Sequence, residues 1–246
     1  MVIMRSLIVI PAFNEEEALP KTLQSLQDLP DYFDILVVND GSTDRTRQAA
    51  EDAARTIRPK VQVVSLPLNC GIGVAVQTGY VFAQKTGVYK YVIQFDADGQ
   101  HEVAALPRLV EECEAKGLDV CIGSRFLEKQ GFQSTFQRRL GIRFFAWLIW
   151  LLSGVTVTDP TSGLRCVGPV VWKRFGHHYP EDFPEPESLF WCARNRLKIG
   201  EIPVTMQERQ GGVSSLQSAW KPIYYMVKVS VAIVLDRLRR REQQPS

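Results

Sequence analysis

Along the first half of the chain, short apolar runs alternate with longer stretches in which apolar residues recur at helical spacing. Ser6–Ile10, Asp34–Asn39, Val61–Leu66 and Asp119–Arg125 read as buried strands, and so does the run through Val92, Ile93 and Phe95. Between them, Glu16–Leu29 places Leu19, Leu23 and Leu26 on one helical face, with Asn14 as an N-cap. Arg45–Thr56 reads as a second helix, capped by Ser42, Thr43 or Asp44. A third runs from Gly73 through Thr86, and Leu106–Lys116 is a fourth, with Pro107 in its first turn. This alternation predicts an α/β fold: one Rossmann-like, mostly parallel sheet flanked by helices.

The second half changes character. Arg138, Arg139 and Arg143 lead into the apolar run Phe144–Leu152, which is too short to cross a bilayer. Its tryptophans and phenylalanines fit a helix lying at a membrane interface, and a buried core helix fits equally. Phe183–Glu187 reads as a proline-set segment carrying Glu185 and Glu187 ahead of a helix over Ser188–Leu197, and Ile202–Met206 reads as a strand. The stretch Glu208–Ser215 reads as a flexible basic loop able to close over an anion. A last helix, Trp220–Arg241, mixes an apolar face with a basic end, as an amphipathic anchor on anionic lipid does. A plain terminal helix is the alternative.

Composition narrows the picture a little. The 246 residues are 45% apolar and 23% charged, which is ordinary for a globular chain with a full core. A formal net charge of +2 gives no reason to expect a nucleic-acid partner. Met1–Ile10 is too short for a secretory signal and runs into Pro11 and an acidic cluster. The five cysteines, an odd count without Cys-x-x-Cys spacing, read as reduced thiols of the cytosol.

The candidate chemistry gathers at strand ends. Asp40 closes one strand, and Asp96-Ala97-Asp98-Gly99-Gln100-His101 closes another. In an open α/β sheet these carboxyl ends are where ligands bind. Alternation along the strand sends Asp96 and Asp98 to one side, and Gln100 or His101 could add a third donor. Oxygen donors of this kind suit Mg²⁺ or Mn²⁺ held together with substrate phosphates. Turn capping accounts for the acids more plainly. Gly71 and Gly73 permit positive φ or close backbone approach, but Val74–Gln77 completes no dinucleotide fingerprint.

Taken in order, Ile10–Glu15, Val38–Asp44, Asn69–Gly73, Phe95–His101 and Gly123–Arg125 resemble the inverting family-2 glycosyltransferases of the GT-A fold. Asp-Ala-Asp-Gly-Gln-His, Asp159–Arg165 and Arg209-x-x-Gly212-x-Ser214 look most like the branch of dolichol-phosphate mannosyltransferases and bacterial polyprenyl-phosphate glycosyltransferases. The resemblance implies residues 1–215 as the GT-A domain, with a nucleotide-sugar half (1–125) and an acceptor half (126–215). Residues 216–246 then form a membrane-associating amphipathic helix. It implies that Pro11, Ala12, Phe13, Glu15, Asp40 and Gly71 bind the nucleotide sugar, along with Asp96 and Arg125. Asp96, Asp98 and Gln100 hold the metal, and Arg138, Arg165, Arg209 and Ser214 bind the acceptor. Asp98, Arg125, Arg209 and Glu187 form the catalytic set.

The expected activity is metal-dependent transfer from a nucleotide sugar, UDP-sugar favoured, to polyprenyl phosphate at the cytoplasmic face of a membrane, held there peripherally. A small membrane-embedded partner subunit or a second copy would replace the spanning helices that many relatives carry. The alternative is transfer to a saccharide hydroxyl in cell-surface polysaccharide synthesis, with Glu185 or Glu187 as base.

Overall fold

A computed structural model describes residues 5–128, 136–181, 183–206 and 220–238. Arg209 and Ser214, the basic loop around them and Arg239–Arg241 therefore lie outside the described residues.

The strands are β1 (Arg5–Ala12), β2 (Phe33–Asn39), β3 (Val61–Ser65), β4 (Tyr89–Gln94), β5 (Val120–Ser124), β6 (Arg165–Val167) and β7 (Ile199–Pro203). They form one sheet in the order β3-β2-β1-β4-β6-β5-β7. β6 alone runs antiparallel, wedged between β4 and β5 so that Arg165 faces Gln94 on one side and Ile122 on the other. Its three residues are too few for periodicity to register.

The helices are α1 (Leu19–Ser25), α2 (Thr46–Ala54), α3 (Ile72–Thr86), α4 (Ala105–Lys116), α5 (Phe136–Ser153), α6 (Pro169–His177), α7 (Pro184–Arg194) and α8 (Trp220–Leu238). Alternating side chains divide the core between the two faces of the sheet. Leu7, Val9, Leu36, Val38 and Val92 pack with α3, α5, α6, α7 and α8. Ile8, Ile10, Ile35, Val37 and Ile93 pack with α1 and α4 on the other face. Both layers are fully buried, which is why the strands read as continuous apolar runs.

Several expected boundaries move; the strand expected over Ile202–Met206, for one, runs over Ile199–Pro203. α1 starts at Leu19, and Asn14 is not its cap: it adopts positive φ (54°), and its side-chain oxygen accepts the Thr43 N–H at 2.9 Å. The Glu185-Pro186-Glu187 segment does not precede a helix but is its first turn, because Pro184 supplies a preset φ at N1. The apolar run Phe144–Leu152 lies on α5 and divides between a buried and an exposed face. Phe145, Leu148 and Ile149 are buried in the core, whereas Trp147, Trp150 and Leu151 are about half exposed. No helix among the described residues is long and apolar enough to cross a membrane.

Candidate active site

Because β1, β2, β4 and β5 are parallel, their carboxyl ends share one edge of the sheet. The antiparallel β6 begins at that same edge with Arg165. The acids and arginines singled out in the sequence are thus delivered side by side.

At the β2 end, Asp40 is buried and accepts the backbone N–H groups of Cys70 (2.8 Å) and Gly71 (2.9 Å). Gly71, at φ 91°, turns the chain into α3. Gly73 answers a different demand: a Cβ there would lie 2.1 Å from the Pro180 carbonyl oxygen, where the first turn of α3 crosses the 180–181 backbone. Neither glycine shows phosphate binding by its geometry. Pro11, Ala12, Phe13 and Glu15 line the neighbouring β1 end, with Phe13 exposed and the Glu15 backbone tied to Thr46 Oγ1 at 2.8 Å. The N-cap of α2 is Arg45, which makes no side-chain cap bond, and not Ser42, Thr43 or Asp44; Asp44, one residue earlier, accepts the Thr46 N–H at 2.9 Å.

At the β4 end the strand stops at Gln94, so Asp96 and Asp98 both lie beyond it and the expected strand alternation does not place them. Asp98 enters a turn made possible by Gly99 at φ 72°, and its Oδ1 accepts the Gln100 N–H at 3.1 Å. Asp96 Oδ2 meets His101 Nε2 at 3.0 Å, while Asp96 Oδ1 is buried without a hydrogen-bond partner among the described residues. Burial alone would raise the Asp96 carboxyl. The His101 hydrogen bond and charge, with Gln94 and Arg165 nearby, outweigh it and hold the group below the usual carboxylate range. An ionised, orphaned oxygen beside a second carboxylate and an amide is a donor set that fits a hard divalent cation. No group of three or more His, Cys, Asp or Glu poised for a metal occurs among the described residues. Substrate oxygens would therefore complete the coordination.

At the β5 end, Arg125 is buried and paired with Asp159, its Nε and Nη2 lying 2.6 and 2.7 Å from the two carboxylate oxygens. Arg138, on the first turn of α5, lies in electrostatic range of Arg125, Asp159 and Asp96. Arg165 points inward instead. It donates to the Ser162 carbonyl (2.7 Å), the Ser188 hydroxyl (2.9 Å) and the Glu185 carbonyl (3.2 Å), bracing β6 against α7.

The first turn of α7 separates the two glutamates, since residues two apart lie about 200° around a helix. Glu185 faces Arg165, Asp96 and Gln94, and burial pushes its carboxyl above the ordinary range although Arg165 opposes the shift. Glu187 instead lines a hollow with Arg174, His178, Trp191 and Arg194. The structure brings Glu185 to the acid cluster and leaves Glu187 away from it.

Residues 7–167 match the Glycosyl transferase family 2 profile, which covers more than half of the chain. The chain is a family 2 glycosyltransferase. This glycosyltransferase is 30% identical to the polyprenol monophosphomannose synthase of Mycolicibacterium smegmatis over 87% of its own length and 82% of that protein. It is 32% identical to the undecaprenyl-phosphate mannosyltransferase of Micrococcus luteus, covering 87% and 88% of the two chains. Among solved structures it is similar to glucosyl-3-phosphoglycerate synthase of Mycobacterium tuberculosis in complex with Mn²⁺, UDP and glucosyl-3-phosphoglycerate. The TM-score is 0.67 at 20% identity, with coverage of 95% and 80%. That likeness confirms the GT-A fold for the glycosyltransferase.

Sequence reasoning missed Gln94, Asp159 as the partner of Arg125, and Glu201. Gln94 ends an apolar run and Asp159 opens the Asp159–Arg165 motif, but contacts between segments far apart in the chain are not visible in one dimension. Glu201 had no local signal at all.

Proposed function

We propose that the chain transfers a sugar, with inversion, from a UDP-sugar to a polyprenyl phosphate at the cytoplasmic face of a membrane, with Mg²⁺ or Mn²⁺ as cofactor. The observation that carries this reading is the order of strand ends. Asp40 and Phe13 stand at β2 and β1, Asp96 and Asp98 at β4, and Arg125 with Arg138 beyond β6. A nucleoside, its diphosphate and an acceptor phosphate laid along that edge each meet groups suited to them. The Mycolicibacterium and Micrococcus relatives are named for lipid phosphates, and a Methanococcus voltae relative, 26% identical, is named for UDP-N-acetylglucosamine and dolichyl phosphate.

In this reading Asp96, Asp98 and Gln100 would hold the cation, which when bound would supply positive charge against the leaving diphosphate. Arg125 and Arg138 hold the acceptor phosphate and offset the charge that gathers as two anionic groups approach. A phosphate oxygen is already an anionic nucleophile, so no side chain has to remove a proton. The exposed faces of α5 (Leu140, Trp147, Trp150) and α8 (Val227, Val231, Leu238) bring the site to the bilayer where such an acceptor resides.

One observation favours a second reading, transfer to a saccharide hydroxyl. Glu185, raised by burial and close to Asp96, has the environment of a general base. Glu185→Ala separates the two. With a lipid phosphate acceptor its kcat falls by less than about tenfold, whereas loss of a required base costs about 10²–10⁴-fold. A loss in the larger range would overturn the lipid-phosphate reading.

A further inference from the structure

Glu201 stands on β7, beyond residues 7–167 that match the family profile. In register it lies opposite Ile122 of β5, three positions before Arg125. Its half-buried carboxylate accepts the Thr158 N–H at 2.9 and 3.0 Å and the Asp159 N–H at 3.0 Å. Asp159, fully buried, then holds Arg125 through three bonds, at Nε (2.6 Å), Nη2 (2.7 Å) and the backbone N–H (3.2 Å). Thr161 Oγ1 accepts from the same Nη2 at 3.0 Å, and the Ser124 and Thr158 hydroxyls meet at 2.6 Å. The chain of contact is continuous: Glu201, the 158–161 backbone, Asp159, Arg125.

Packing alone does not call for a carboxylate here. Desolvation raises the Glu201 carboxyl, and the charged neighbour facing it is Asp159, of like sign. The two N–H bonds offset only part of that cost. What the arrangement gains is a fixed guanidinium. An arginine has five donors in a rigid fork, and the described partners occupy Nε and Nη2. Among the described residues no partner holds Nη1, the part of the fork left for a ligand.

We propose that Glu201 is a positioning residue that presents Arg125 to the acceptor phosphate by fixing the 158–161 loop. The inference rests on the lipid-phosphate reading above. β5 lies two strands from β4, about 10 Å across the sheet, on the side away from the β1 and β2 ends. Arg125 therefore serves the acceptor flank and not the nucleoside.

The test measures KM for nucleotide sugar, KM for undecaprenyl phosphate and kcat in the full chain, as wild type, Glu201→Ala, Glu201→Gln, Arg125→Ala and Glu201→Ala/Arg125→Ala. The expected result is a rise of about tenfold in acceptor KM for Glu201→Ala, the scale of one charge-assisted hydrogen bond, with donor KM within about twofold. Glu201→Gln, whose amide carbonyl still accepts an N–H, recovers most of that loss. The double variant is no worse than Arg125→Ala, as two residues acting through one contact require. Equal shifts in donor and acceptor KM, or independent losses in the double variant, would overturn the positioning role. If Glu201→Ala does not fold, Glu201→Asp, which draws the carboxylate back from the Thr158 and Asp159 N–H groups by one methylene, decides: an acceptor-only rise in KM supports the role, and an unchanged acceptor KM or a donor shift of equal size sinks it. A wild type that transfers to no lipid phosphate defeats the underlying reading and this inference with it. A wild type that transfers, with coincident donor and acceptor effects, defeats this inference alone.

Discussion

Asp96 and Asp98 sit one residue apart yet are held by different means, one by His101 and burial, the other by its own turn. Their replacement should therefore differ in side effects. Asp98→Ala is expected to lower transfer at least about 100-fold, the scale of losing a group that stabilises developing charge, with a melting temperature close to wild type. Asp96→Ala should lose activity and stability together, because it strips His101 of its carboxylate. Paired activity and thermal melts check both. Glu185 allows a sharper stability statement. Its folded pKa is raised, so the native state holds the proton more tightly than the unfolded chain. The stability this contributes is full below the ordinary glutamate range and is lost as pH rises through the folded value. Glu185→Gln should thus melt higher than wild type near pH 7. The gain is expected at about 2–4 °C, the shift that about 1 kcal/mol produces in a domain of this size. The gap should close near pH 3.5. A gap that widens on acidification would contradict the burial argument.

At the scale of elements, α7 and α8 carry what the sequence left ambiguous. α7 begins where Phe183 takes a left-handed conformation, φ 52°, so that Pro184 starts the helix and Glu185 falls toward Arg165. Phe183 packs on Tyr225 of α8 at 4.4 Å between ring centroids, and Arg194 pairs with Asp236 at 2.8 Å. α8 is thus seated on the helix that carries Glu185, while Val227, Val231, Val234 and Leu238 remain exposed on its outer face. Val231→Asp should leave the melting temperature unchanged and reduce binding to anionic vesicles several-fold, read by co-sedimentation; unchanged sedimentation would remove the lipid role of that face. Gly73→Ala, by contrast, should cost on the order of 4 kcal/mol by urea unfolding, since the obstacle is a backbone carbonyl that has no rotamer to give. The sequence showed that Gly73 allows close approach but not that residues 180–181 were what approached. β1 and β2 were legible because burial on both faces makes them continuous apolar runs, and α3 and α4 because one face of each is buried. β6 was not, being three residues long, and neither was the helical state of Glu185–Glu187, since Pro-Glu-Pro-Glu has no apolar period.

Over the whole molecule, the order of strand ends turns separate sequence motifs into one site. Asp40, Asp96, Asp98 and Arg125 were legible one by one because each closes an apolar run. Their sequence along the edge, with an antiparallel strand inserted between β4 and β5, required the sheet itself. The pairing of Arg125 with Asp159, and the division of labour between Glu185 and Glu187, likewise depend on contacts between segments far apart in the chain. The central claim is that this edge moves a sugar onto a lipid phosphate. The most direct measurement is transfer of radiolabelled sugar from a panel of UDP- and GDP-sugars, with Mg²⁺ or Mn²⁺, to undecaprenyl phosphate in vesicles. Label is expected in the organic phase from a UDP-sugar, abolished by EDTA and by Asp98→Ala. Metal-dependent release of free sugar, with no label entering lipid from any donor, would contradict it.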